Sequence, residues 1–371
     1  MSGGKFNISD RKTRVLVAPL EWGLGHATRC IPIIRELLAQ DCEVLIGAEA
    51  AAQALLEKEF PQLQILPLQG YRMRYSRKGW WFPVKIFFQF PKILFSIYNE
   101  HRWLKNVIRE HSIDAVISDN RFGLYSTTVP CIYLTHQLLV KTGNGFTERM
   151  AQKIHYHFIN KYRECWVPDM AGTINLAGAL SHPKHLPATP ISYIGPLSRF
   201  EKKEVERKYD LGVIISGPEP QRTIFEEILL EQLTDYAGKI LFVRGLPGNS
   251  DSNPQSNSNI EMHDHLPAKE LNEAILQSEM IISRSGYTTV MDLAKLQKPA
   301  IFIPTPGQPE QEYLAEYLMN EKVFYCTDQK DLNIRLVLQE AESFSYKTIS
   351  FATEDYKNSV KKFIGCITPH Q

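Results

Sequence analysis

The chain has 371 residues, 43% hydrophobic and 22% charged, a length that suits two compact domains better than one. A net charge of +1 excludes the strong basic excess of a dedicated nucleic-acid binder. The opening "MSGGKFNISDRK" has no apolar core for a secretory signal, and no uninterrupted apolar run reaches membrane-span length.

Six scattered cysteines, Cys30, Cys42, Cys131, Cys165, Cys326 and Cys366, include no CxxC pair. They are expected to be reduced thiols of a cytoplasmic protein, not a disulfide frame or zinc site.

In chain order, "RVLVAPL" predicts a first strand, followed by a helix over Thr28–Gln40, the strand "CEVLIGA", a helix over Ala50–Phe60 and the strand "LQILPL". After a long helical region come "DAVISD", "CIYLTH", another helix, "CWVPD" and "ISYIGP". Strands apolar on both faces and separated by helices imply a parallel sheet covered on both sides. The charged segment "LSRFEKKEVERKY" then breaks the alternation.

It resumes with "LGVIIS", a helix over Gln221–Tyr236, "KILFVRG" and "NIEMHDH". A helix over Ala268–Glu279, "MIISRS", a helix over Thr288–Gln297, "PAIFIPT", a helix over Gln311–Lys322 and "VFYCT" complete it. The expected fold is α/β, with two Rossmann-like doubly wound parallel-sheet domains facing a central cleft. Residues 13–197 form the first, 198–209 a linker and 210–371 the second. "GNSDSNPQSNSN" is expected to be a solvated loop between two strands of the second domain.

Ligands of such sheets bind beyond the carboxyl ends of the strands, so the turns there carry the functional reading. "SRSGYTTVMDL" places Ser283, Ser285, Gly286, Tyr287 and Thr288 where a strand ends and a helix begins. A glycine there admits close approach, the helix presents free N–H groups, and the hydroxyls are candidate donors to a diphosphate. A simple helix cap is the plainer use of the same residues. Asp292, further along that helix, is a candidate acceptor for ribose hydroxyls, and Gln311 and Glu312 open the next helix toward the same strand ends. In "EWGLGHATRC", Gly23 and Gly25 permit a tight turn and His26 follows the first strand; the third glycine of a dinucleotide fingerprint is replaced by Thr28. Asp119 in "ISDNRFG", with His136 and Gln137 in "LTHQ", are strand-end candidates for acceptor binding or base catalysis, or buried hydrogen-bonded side chains.

The block "SRSGYTTVMDLAKLQKPAIFIPTPGQPEQEYLAEYL" resembles the C-terminal signature of glycosyltransferase family 28, which has the GT-B fold. That resemblance implies a nucleotide diphosphate at Ser285 and Gly286, ribose at Asp292 in place of the family's glutamate, and the donor sugar at Gln311. Glu312 stands where the family has a second glutamine. "EWGLGH" is similar to the family's first glycine-rich loop, whose histidine, a candidate general base, corresponds to His26. By the same resemblance Ser216 and Gly217 in "ISGPEPQR" fall in the second-domain glycine-rich loop; Gln221 and Arg222, at the start of the next helix, are candidates for a phosphate contact or are simply solvated. Arg199 in "ISYIGPLSR" falls at the hinge, and His263 and Leu266 in "HDHLP" fall where backbone cradles uracil. A metal at that last motif lacks a third ligand, and the chain contains no Asp-x-Asp triplet, so no metal and no cofactor beyond the donor is expected.

Tyr71–Trp103 holds eleven aromatics and seven Lys or Arg against one acid, Glu100, a composition suited to an anionic lipid surface. A buried helix would instead take Phe87, Phe88, Leu94, Phe95 and Tyr98 into the core, without using Trp80, Trp81 and Phe82. The expected function is hexosyl transfer from a UDP-sugar to a hydroxyl of a lipid-linked or cell-envelope acceptor, peripheral on the inner face of the cytoplasmic membrane. The alternatives are a nucleotide-sugar hydrolase or epimerase, and a non-catalytic nucleotide-sugar-binding partner.

Overall fold

The computed structural model describes residues 11–21, 23–71, 82–246, 259–330, 332–349 and 355–367, the side chains of 82–90 excepted. The expected solvated loop, and the Trp80–Trp81 part of the aromatic segment with the side chain of Phe82, lie outside these residues.

Two parallel sheets form the frame. The first contains β1 (Arg14–Pro19), β2 (Glu43–Ala48), β3 (Gln64–Pro67), β4 (Ala115–Asp119), β5 (Cys131–Leu134), β6 (Glu164–Val167) and β7 (Ile191–Tyr193), in the spatial order 3-2-1-4-5-6-7. The second contains β8 (Tyr209–Ile214), β9 (Ile240–Val243), β10 (Ile260–His263), β11 (Ser278–Ser283), β12 (Ala300–Phe302) and β13 (Tyr325–Cys326), in the order 10-9-8-11-12-13. Both are Rossmann orders, in which the chain reverses direction across the sheet after its third strand. The crevices therefore open beside β1/β4 in one sheet and β8/β11 in the other. Register places Pro19 opposite Asp119 and Ile214 opposite Ser283 at the rims of those crevices.

Ten helices among the described residues cover the sheets. Those that position the site are α1 (Leu24–Ala39), α5 (Gln221–Leu233), α7 (Tyr287–Leu296) and α8 (Pro309–Asn320), each following a strand at its carboxyl end. The remaining helices are α2 (Ala50–Glu59), α3 (Phe82–His111), α4 (Gly145–Ile159), α6 (Ala268–Gln277), α9 (Ile334–Ser343) and α10 (Asp355–Gly365).

α1 starts four residues before the sequence expectation. Gly25 and His26 thus sit in its first turn instead of in a loop, and Pro32 is accommodated inside it. Gly23 caps that start at φ 79°, a backbone conformation that an L side chain adopts only with strain.

The buried core is continuous between the two lobes. Ile31 and Ile34 of α1, Val290, Met291 and Leu293 of α7, and Val360 and Phe363 of α10 belong to one cluster. α10 thus returns to the first lobe, where Phe363 packs edge-on against Trp166 at 5.6 Å. The linker behind this interface is anchored at Ser198 and Phe200, both buried, and is largely exposed from Glu201 to Lys208.

Candidate active site in the interlobe cleft

The end of β4 meets the first turn of α1 in a buried charge cluster. Asp119 is fully buried and lies 3.1 Å from His26 Nδ1 through Oδ2. Arg29, one turn past His26 and 2% exposed, donates from Nε to Asp119 Oδ2 at 2.9 Å and from its second terminal nitrogen to Oδ1. Burial alone would raise the Asp119 carboxyl; the Arg29 guanidinium and the His26 ring overcome it and hold the group at about 2.

Arg29 also reaches His136 Nδ1 at 3.0 Å, and His136 Nε2 meets Glu310 Oε1 of α8 at 2.8 Å. Because guanidinium has no acceptor, His136 Nδ1 must accept, so Nε2 carries the proton donated to Glu310. Burial lowers the His136 pKa, and Glu310 offsets only part of that. For Glu310 burial is the largest influence and acts upward, but the bond and charge of His136 together with the charges of His26 and Arg29 outweigh it, and the net direction is down. Gln137 lies beside this pair, with Nε2 3.4 Å from His136 Nε2.

His26 has two competing arrangements at Nδ1, since Arg29 also lies 2.9 Å from it. An Nδ1–H donated to Asp119 leaves Nε2 as a free acceptor, the form a general base needs. An Nδ1 that accepts from Arg29 leaves Nε2 protonated. The side chain is 14% exposed, so it is oriented from behind while one edge stays accessible.

The second lobe approaches this cluster through α7. No side chain caps α7, its first turn carries no acid, and a Cβ built on Gly286 would meet nothing within 4 Å. The first-turn N–H groups and the positive end of the helix dipole are thus left without a side-chain cap, an arrangement that favours an anion. Thr288 donates from Oγ1 to the Gly25 carbonyl at 3.2 Å, and a Cβ at Gly25 would lie 2.9 Å from that oxygen. Tyr287 stacks on His136 at 4.2 Å with planes 7° apart and donates to the Pro168 carbonyl at 2.8 Å. The amino end of α7 is thereby held directly against the amino end of α1.

Several residues expected to meet a ligand are engaged internally. Ser283 and Ser285 are fully buried; Ser283 donates to the Ile214 carbonyl at 2.7 Å and Ser285 to the Gln311 carbonyl at 2.9 Å. Their hydroxyls fasten β11 to β8 and α7 to α8 instead of standing free as donors, so the backbone N–H groups at the start of α7 are the remaining candidates for an anion. Gln311 accepts from Thr305 N at 2.9 Å, and Glu312, exposed, accepts from Gly307 N at 2.7 Å. Tyr287, also expected at the donor, is buried in the lobe contact.

Arg222 is likewise closed inward, on Glu219, Glu226, Thr223 and the Arg244 carbonyl, so all three guanidinium nitrogens are in use. The expected phosphate contact is replaced by a structural network. Ser216 and Gly217 beyond β8 are exposed, Gly217 at φ 117° with nothing within 4 Å of a built Cβ. His263 pairs with Glu261 at 3.1 Å, and Leu266 is buried beside Tyr209 and Val243.

Asp292 lies on α7 facing the linker, 8% exposed, and accepts from the Ser198 hydroxyl. Burial raises its pKa, and Ser198 and Arg199 lower it only in part, leaving it at about 6. Arg199 is half-buried over the Phe200 ring, its Nε has no hydrogen-bond partner, and burial lowers its pKa. This guanidinium, its Nε unpaired, beside a buried carboxylate is the second polar cluster of the cleft.

Arg29 and Glu310 were not anticipated. Arg29 occupies a helical position between Thr28 and Cys30, three residues after His26, and that i, i+3 spacing was the available signal. Arg284 was also missed. It is 1% exposed, lies 3.8 Å over the Phe225 ring, and donates to the carbonyls of Ile303, Pro304 and Gln221, tying three cleft-facing turns together.

Residues 221–364 match the glycosyltransferase family 28 C-terminal domain. Over 178 residues the chain is 24% identical to the Haemophilus ducreyi UDP-N-acetylglucosamine–N-acetylmuramyl-(pentapeptide) pyrophosphoryl-undecaprenol N-acetylglucosamine transferase, covering 46% of this chain and 49% of that protein. The chain thus spans about half the length of that relative. An uncharacterized glycosyltransferase of Methanosarcina mazei is 22% identical over 332 residues, 81% of each chain. The glycotransferase of kitacinnamycin superposes with a TM-score of 0.61 over 96% of this chain and 95% of its own, at 14% identity. With two Rossmann-ordered sheets facing one cleft, these likenesses agree on the GT-B fold, and residues 221–364 resemble the C-terminal domain of family 28 glycosyltransferases.

Proposed function

We propose that the enzyme moves a hexose or N-acetylhexosamine from a UDP-sugar to a hydroxyl of a lipid-linked or cell-envelope acceptor, by inverting displacement. The single observation that carries this reading is the His26–Asp119 pair set against the uncapped amino end of α7, with the lobes joined at Thr288 and Gly25. The acceptor hydroxyl gives its proton to His26 Nε2 as its oxygen attacks the anomeric carbon, and the imidazolium so formed is stabilised by Asp119. The sugar–phosphate bond breaks on the opposite face, and the departing diphosphate is taken up by the α7 N–H groups, with Arg199 as the nearby cation. No metal is required for that step. Asp292 is assigned to the ribose, where a ligand hydroxyl takes over the place of Ser198. Gln311 and Glu312, with Ser216 and Gly217 beyond β8, border the donor, and His136 and Gln137 border the acceptor.

The activity for which the H. ducreyi relative is named, N-acetylglucosamine transfer to an undecaprenol-linked acceptor, supports the donor and acceptor classes. Leu94, Phe95 and Tyr98 are 43%, 64% and 57% exposed, contrary to a core role, and support contact of residues 71–103 with the inner face of the cytoplasmic membrane. Among the described residues no helix is long and apolar enough to cross a membrane.

The test is incubation with candidate UDP-sugars, with and without lipid acceptor. UDP released only with acceptor is the expected result. Release without acceptor identifies a hydrolase, and no release with any donor identifies a binding protein.

A further inference from the structure

A line of hydrogen bonds crosses the cleft from the second lobe and ends at His26. It starts at Glu310, in the first turn of α8, whose Oε1 lies 2.8 Å from His136 Nε2. His136 Nδ1 lies 3.0 Å from Arg29 Nη1, and Arg29 holds both carboxylate oxygens of Asp119 through Nε and Nη2. His26 Nδ1 completes the line, 3.1 Å from Asp119 Oδ2 and 2.9 Å from Arg29 Nη2. Arg29, Asp119 and His136 are all buried, so their polar atoms must find partners within the protein.

The proton positions along this line depend on one another. An ionised Glu310 only accepts and Arg29 only donates, so His136 between them carries its proton on Nε2 and keeps Nδ1 open to Arg29. Burial favours the neutral ring that this requires, and the Tyr287 ring stacked 4.2 Å away holds its plane. At His26 the choice is nearly even, because Asp119 and Arg29 compete for the same nitrogen.

Withdrawing Glu310 releases the His136 proton to Nδ1, since the Gln137 amide nitrogen stands 3.4 Å from Nε2 and can donate to it. Nδ1–H and Arg29 Nη1 are then two donors face to face. Arg29 keeps one neutral partner, His26 Nδ1, and by donating there it fixes the His26 proton on Nε2. That form cannot take a proton from an acceptor hydroxyl.

We infer that Glu310 is a positioning residue: from the second lobe, through His136 and Arg29, it holds His26 in the tautomer whose Nε2 is free, so the base is ready only while the lobes are together. The inference rests on the transferase reading for its purpose, but not for its first measurement. Glu310 is not needed merely to fasten the lobes. Thr288 on Gly25, Tyr287 on Pro168 and Tyr313 on Ala179 already join them, so the tautomers can be read with the cleft still closed.

The full chain, with its eleven histidines labelled with nitrogen-15, is studied by NMR at pH about 8, where an ordinary imidazole is neutral. Ring nitrogens with and without a proton resonate far apart, and His136→Gln and His26→Ala assign the signals. In wild type His136 should carry its proton on Nε2 and His26 on Nδ1. Glu310→Ala should move both, His136 to Nδ1 and His26 to Nε2. It should also lower kcat by about 10- to 100-fold, the equilibrium equivalent of one charge-assisted hydrogen bond, with KM for the UDP-sugar unchanged. Glu310→Gln keeps an oxygen that accepts from His136, so it should retain the wild-type tautomers and recover most of kcat. A wild-type His136 protonated on Nδ1, unmoved tautomers in Glu310→Ala, or equal losses of kcat in the two variants overturns the inference. The expected tautomers without UDP release from any donor would refute the transferase reading instead and leave the hydrogen-bonded line standing.

Discussion

Asp292→Asn tests the reading of the second polar cluster, because it separates the stability of the carboxylate from its use. In the folded chain Asp292 is held at about 6 against an ordinary 3.8. The folded state therefore binds this proton more tightly than the unfolded state, and stability falls as pH rises through the window from 4 to 6. Above pH 6 the ionised, buried carboxylate costs the fold about 3 kcal/mol, the free-energy equivalent of that displacement. Asparagine keeps an oxygen that can accept from the Ser198 hydroxyl and has no charge to bury. The variant should match wild type near pH 4 and exceed it by up to about 3 kcal/mol at pH 8. Urea unfolding of both proteins at pH 4, 5, 6 and 8 gives the difference directly, and groups common to both cancel. In parallel, the thermal shift given by UDP should shrink in the variant, since an amide is a weaker acceptor for ribose hydroxyls than a carboxylate. A difference between the two proteins that is independent of pH, or an asparagine variant less stable at pH 8, would refute the assignment of a costly buried charge. A stabilised variant that binds UDP as wild type does would keep the electrostatics and remove the ribose role.

Three further outcomes follow from the same geometry. His26→Ala should lower turnover by about 10²- to 10⁴-fold with little change in urea midpoint; a loss of only a few-fold moves the base to Asp119. Arg29→Met leaves the Asp119 charge buried with one partner fewer and should cost about 3–5 kcal/mol in unfolding free energy, whereas an unchanged midpoint contradicts the buried pair. Gly25→Ala drives a Cβ toward Thr288 Oγ1 and should destabilise by about 1–3 kcal/mol. Thr288→Ala in the same chain should relieve most of that, because the next contact is the Thr288 Cβ at 3.5 Å. Additive effects in that double-mutant cycle would place the lobes apart in solution.

The fold was legible because apolar runs such as "DAVISD" and "MIISRS" are long enough to mark buried strands and are separated by helical stripes. That alternation implies parallel sheets joined by crossover helices. α9 and α10 were not read individually, and nothing in the sequence of α10 says that Phe363 lands on Trp166 of the other lobe. The positions facing the cleft were legible from their places after strands, as His26, Asp119 and Gly286 show. Side-chain direction was not. Ser283 and Ser285 carry the same hydroxyl whether it points to a ligand or to a carbonyl, and only the packing of β11 on β8 and of α7 on α8 decides. Arg29 and Glu310 were missed for the same reason, since their partners lie 90 and 174 residues away in sequence.

The return of α10 to α1 bears on how the chain can be divided. A fragment cut at the exposed linker would leave Trp166 and the outer side of α1 uncovered, having lost Val360 and Phe363, which come from the far end of the polypeptide. The other fragment would strand the apolar side of α7 in water. Neither half is a self-sufficient folding unit, so melting should be a single cooperative event with the two halves losing structure together. Fluorescence from Trp166 and hydrogen exchange in α7 should then report one and the same midpoint.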